Sequence, residues 1–171
     1  SYSYEGPAHS VTMQNPFYIM ETTVTDTDFS QSGLTGTASD ISWQQAADFA
    51  EWLSDTPEAE NITFRLPTEA EWEYVYENPG KPAAGSIQDM GSSREWTRDW
   101  LAPFTDSSKT DPAGPLSGIY KIIRSSGTMR EALALNAVSE YGLGQMKFRL
   151  VAEAAVQDFS DIDPAPFNFA A

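Results

Sequence analysis

A chain of 171 residues with 40% apolar residues, five tryptophans and no cysteine is long enough to form one domain with its own core, and its composition is not that of a disordered segment. Its formal charge of −15 opposes approach to phosphate backbones and anionic headgroups, which argues against nucleic acid and bare membrane surface and leaves cations, basic protein faces and neutral carbohydrate as partners. The lack of cysteine removes disulfides, thiolate nucleophiles and thiolate metal sites, and no apolar run approaches the roughly 20 residues that span a bilayer.

In chain order, residues 1–7 lack the basic-then-apolar pattern of an export signal. Residues 17–21 read as a strand. Ser42 then offers a helix cap with Gln45 three residues on, and Ala46, Phe49, Ala50 and Leu53 follow at helical spacing, which predicts a helix over about 43–53. After a strand-like stretch at 64–66, Thr68 and Glu71 form a second capping pair, with acidic residues in the first turn where the helix dipole favours them. That helix should stop before Asn78-Pro79-Gly80.

Residues 78–118 are rich in Gly, Pro, Ser and Asp and read as a long connection, which in a compact domain is functional or pinned by internal contacts. Residues 119–124 and 147–151 are the remaining strand candidates. The body is one domain over 1–156, followed by an acidic, aromatic-containing extension over 157–171. Phe159, Phe167 and Phe169 stand there among Asp and Pro, as anchors for a partner protein or as a strand-like extension packed on the same domain. The fold class is α+β with short strands, two main helices and long irregular loops.

The segment FRLPTEAEWEY at 64–74 resembles the RLPTEAEWEYA signature of the formylglycine-generating enzyme family, the sulfatase-modifying factor domains. Further pieces follow in that family's order: FYIMETTVT at 17–25, ISWQQA at 41–46, GSSREWTRDW at 91–100, DPAGP at 111–115 and MKFRLV at 146–151. The resemblance covers about His9 to Glu153. It implies a variant of the C-type lectin fold, with Arg65, Glu69, Glu73, Asp99 and Arg149 in partly buried ion pairs and Trp43, Trp52, Trp72, Trp96 and Trp100 in the core. It also implies a calcium site, with Gly91, Ser93 and Glu95 at the matching positions, although Ser92 and Arg94 stand where the family has Asn and Trp.

Members of this family that oxidise a cysteine to formylglycine use a cysteine pair that binds copper. The stretch matching that pair reads RSSGTMRE at 124–131, without cysteine, and neither a serine hydroxyl nor a lone Met replaces two thiolates on Cu(I). Relatives that form carbon–sulfur bonds bind iron through histidines, and this chain has His9 alone. The sequence therefore points to a protein that is not an enzyme: a scaffold or protein-interaction subunit of a periplasmic or extracellular assembly, as in the gliding and secretion lipoproteins the family includes. The alternative is a lectin-like module for carbohydrate or another ligand, with calcium as its candidate cofactor. A catalytic site of unrecognised type ranks third, because no convergent acid, base and nucleophile are visible.

Overall fold

Capping chemistry sets where the helices begin. In this computed structural model, which describes residues 9–79, 87–105, 107–126, 130–137, 145–154 and 169–170, α1 (Asp26–Ser30), α2 (Trp43–Ser54) and α3 (Glu69–Glu77) each start at a reciprocal box. The pairs are Thr25 with Asp28, Ser42 with Gln45, and Thr68 with Glu71. In each, the cap hydroxyl accepts the amide of the third helical residue while that residue's side chain accepts the cap amide, so two otherwise orphaned donors are satisfied. The boxes of α2 and α3 are those the sequence predicts. The short α1 was not among the expected helices, although Thr25 and Asp28 carry the same signal.

The strands form three small sheets. β1 (Val11–Thr12) and β5 (Lys109–Thr110) pair in parallel. The second sheet joins β2 (Tyr18–Met20), β3 (Ile62–Arg65), β9 (Val151–Ala154) and β10 (Phe169–Ala170) in the order β10-β2-β9-β3, all antiparallel. The third joins β4 (Arg94–Trp100), β6 (Tyr120–Arg124), β7 (Arg130–Ala134) and β8 (Met146–Lys147) in the order β7-β6-β4-β8, with β4 and β8 parallel.

Two strand expectations are corrected. The stretch read as one long connection over 78–118 contains β4, seven residues long, which sits inside the third sheet. Its Glu95, Thr97 and Asp99 are buried, so the strand lacks the apolar alternation by which a strand is recognised. The expected strand at 147–151 is divided: Lys147 ends β8 and Val151 begins β9, while Phe148, Arg149 and Leu150 are wholly buried between the two sheets. In the extension, Phe169 pairs through its backbone with Met20 on the edge of β2, so that part of the chain completes its own domain's sheet. Phe159 and Phe167 lie outside the described residues.

The core follows from the helix patterns. Phe29 of α1, Phe49 of α2 and Phe148 meet with ring centroids 5.3, 5.6 and 6.4 Å apart. Trp72 and Trp96 are fully buried, and their indole N–H groups donate to Glu95 Oε2 at 3.0 Å and to the Ile41 carbonyl at 2.8 Å, as buried indoles require. Trp43, Trp52 and Trp100 are only partly buried. A smaller cluster of Ile19, Val75 and Val151 closes the far side of the second sheet. Among the described residues, no helix is long and apolar enough to cross a membrane.

Candidate functional site

Most of the interior charges are committed to one another. Arg65 reaches Glu71 with two N–H groups at 2.7 and 2.8 Å and Glu153 with a third at 2.5 Å. Burial alone would lower its pKa, but the hydrogen bonds and charges of these carboxylates hold it above the ordinary arginine range. Glu69 accepts from Arg130 Nε at 2.7 Å, Arg130 Nη2 at 2.9 Å and Arg124 Nη1 at 3.2 Å, and Arg124 Nη2 reaches Glu73 at 3.1 Å. Arg94 pairs with Glu131. Of the ion-pair residues expected from the family pattern, Arg65, Glu69, Glu73 and Arg149 are so engaged. Asp99 is not: it caps α3 instead, its Oδ2 accepting the Glu69 amide at 2.7 Å. Arg124 and Arg130 went unrecognised, because in the sequence they stand in the stretch that matches the lost cysteines.

The candidate calcium residues do not assemble into a cation site. Gly91 and Ser93 lie in the turn before β4, where Gly91 has φ +81°, a conformation that glycine adopts without strain. Glu95 points inward, is fully buried, and gives both oxygens to Arg149, at 2.6 Å from Nε and 2.8 Å from Nη2. A carboxylate that already accepts two guanidinium N–H groups and the Trp72 indole offers a divalent ion a fixed positive neighbour and little remaining donor capacity. Among the described residues, no group of three or more His, Asp or Glu side chains converges in a way that could hold a metal. This donor set does not fit a calcium ion.

A cleft of about 410 Å³ opens beside these latches, walled by Phe104 and the 112–115 loop and floored by Asp99, Glu73 and the Glu69–Arg130 pair. Such a volume lies in the range of ligand pockets, about 300–1,000 Å³. The DPAGP motif shapes the wall. Asp111 adopts φ +42°, and its carboxylate fastens the loop to the N-terminal segment, accepting from Gln14 N and Asn15 Nδ2 at 2.9 Å each. Gly114 adopts φ +68°, and a Cβ there would stand 2.7 Å from Asp99 Oδ1; only glycine lets the loop approach that carboxylate.

Asp99 is 5% exposed, and burial is the main reason its pKa rises to about 6, the charges of Glu69 and Glu71 adding to it while the Glu69 amide opposes. On the opposite side of the strand pair, Lys121 lies between the indoles of Trp43 and Trp100, its Nζ 4.0 and 3.8 Å from the ring centroids, and donates to the Arg98 carbonyl at 2.7 Å. Desolvation brings its pKa down to about 8, against the pull of Asp99. Of these two groups, Asp99 is expected from the family pattern in a partly buried ion pair, whereas Lys121 is not singled out by the sequence. Lys121 stands in a predicted strand, but nothing in its sequence neighbourhood shows that Trp43 and Trp100 close over it.

Comparison with known proteins places the chain. Residues 34–147 match the family described as the Sulfatase-modifying factor enzyme 1-like domain. No curated protein sequence matches. Among solved structures, the chain is similar to Treponema denticola variable protein 1, at 20% identity over 88% of each chain with a TM-score of 0.62; at that identity the likeness speaks to the fold.

Proposed function

We propose that this chain, which belongs to the Sulfatase-modifying factor enzyme 1-like domain family, serves as a non-catalytic interaction module, a scaffold subunit that binds another polypeptide in a periplasmic or extracellular assembly. One observation carries the reading. In the stretch matching the family's cysteines, Arg130 lines the cleft and is locked on both sides: two of its N–H groups go to Glu69, a third donates to the Ala102 carbonyl at 2.9 Å, and its guanidinium lies 4.2 Å from the Phe104 ring. A saturated ion pair has neither the proton affinity nor the lone pair that a base, nucleophile or metal ligand needs.

The surface supports a binding role. Leu116 is fully exposed and Ile119 is 77% exposed on the loop leading to β6, next to the half-exposed Tyr120, a grouping of apolar side chains that water disfavours and a partner would cover. The acidic surface implied by the net charge of −15 favours a basic partner and accelerates its approach. A ligand-binding module is the second reading, favoured by the cleft at Asp99.

Native mass spectrometry of the protein isolated gently from its own source tests the proposal. A stoichiometric complex with a second polypeptide is expected, unchanged in mass and abundance when a calcium chelator is added. A bare monomer under the same conditions contradicts it.

A further inference from the structure

The cleft beside the latches is lined by a largely buried carboxylate that the fold uses at one oxygen. Asp99 Oδ2 is held by the Glu69 amide, whereas Oδ1 receives no hydrogen bond from any described residue, and Asp99 lines the cleft. Asp99 as a residue is only 5% exposed, and a carboxylate with so little water around it gains from a cationic donor that enters the cleft. The neighbouring charges fix what would satisfy it. From α3, Glu69 and Glu71 add negative potential at Asp99, and Glu73 lines the same floor with its side chain about a third exposed.

Positive and titratable groups also lie about the site: His9 lines the cleft with its ring 4.7 Å from that of Phe104, and two cations are engaged elsewhere. Arg130 of β7 is paired with Glu69, and Lys121 of β6 is turned to the Arg98 carbonyl between two indoles. Arg98, beside Asp99 on β4, is exposed, as is Lys109 at the rim. The walls supplied by Val11, Pro103, Phe104, Pro112 and Pro115 are apolar, suited to an aliphatic stem that ends in a charge.

We infer that the cleft receives a basic side chain, arginine or lysine, from the partner polypeptide, with its cationic head on Asp99 Oδ1 and its stem along the Phe104 and proline walls. The inference rests on the interaction-module reading and names the chemistry of that partner's anchor. Gly114 sets the room at this oxygen, since a Cβ there would stand 2.7 Å from Oδ1.

The test is a titration of the full 15N-labelled chain with N-acetyl-arginine amide, and in parallel with N-acetyl-citrulline amide, its neutral isostere. The arginine compound should give saturable shifts centred on Asp99, Phe104 and Gly114, with the citrulline compound about fivefold weaker, since a charge-assisted bond is about twice as strong as a neutral one. Affinity for the arginine compound should fall as pH drops below about 6, where Asp99 takes up a proton. Asp99→Asn should weaken it to the level of citrulline while keeping the acceptor for the Glu69 amide. Equal binding of the two compounds, no localised shifts, or undiminished binding by the Asp99→Asn variant would each overturn the inference. A complex seen by native mass spectrometry alongside any of these results would leave the module reading standing and remove only this anchor.

Discussion

Exchange of Glu95 for glutamine should lower the stability of this domain by about 3–5 kcal/mol, the range for breaking a buried ion pair by removing one partner. The size of the effect follows from what Arg149 joins. Its five N–H hydrogen bonds run to Glu95 twice, to the carbonyls of Met20 and Glu21 at 3.1 Å and to that of Gln88 at 3.3 Å, and Glu95 in turn accepts the Trp72 indole. One guanidinium thus ties β2, the turn before β4, β4 itself and α3. Glutamine keeps the volume and an acceptor for Trp72, but it leaves the arginine charge without its counter-ion where neither group is exposed at all.

Urea denaturation should show the change as a lower midpoint at constant slope. The loss should be the same with and without calcium, because Glu95 is spent on arginine. A loss below about 1 kcal/mol, in the range of an exposed pair, would mean that the latch does not hold the sheets together.

The second large effect has the opposite sign. Asp99→Asn should raise stability at pH 7.5 by about 3 kcal/mol: the shift from 3.8 to about 6 is about two units, at about 1.4 kcal/mol each. Asp99 has a folded pKa above its unfolded value, so the native state holds a proton that the unfolded chain releases between those values. The penalty is absent below pH 3.8, grows as pH rises towards 6 and is constant above it. The stability gain of the variant should therefore vanish near pH 4, which denaturant midpoints at the two pH values would show. Destabilisation at both pH values would place the value of Asp99 in a contact that asparagine cannot make. A buried carboxylate that lowers stability at neutral pH breaks the local rules the rest of the fold obeys, and such breaks mark functional positions.

The helices were legible because their signals are local: Ser42 with Gln45 and Thr68 with Glu71 bond within a single turn. The family fold was legible because a long motif spans the α3 cap. β4 was hidden for a physical reason. Glu95 and Asp99 break the apolar alternation of a strand, and the partners that let them be buried, Arg149 and the α3 amide, are 54 and 30 residues away in sequence. The cleft was hidden in the same way, since its wall comes from the DPAGP loop and its floor from α3, β4 and β7. The motif reading put Glu95 at a cation site, whereas the three-dimensional arrangement puts it against a guanidinium.

The most direct test of a family fold without the family's chemistry is to incubate the purified chain with copper, dioxygen and a cysteine-containing peptide and to follow the peptide by mass spectrometry. With no thiolate to hold copper and Arg130 bound to Glu69 in the matching stretch, the peptide should convert no faster than in the protein-free control. Catalytic conversion of its cysteine to an aldehyde, abolished by heat denaturation of the protein, would contradict the non-catalytic reading outright.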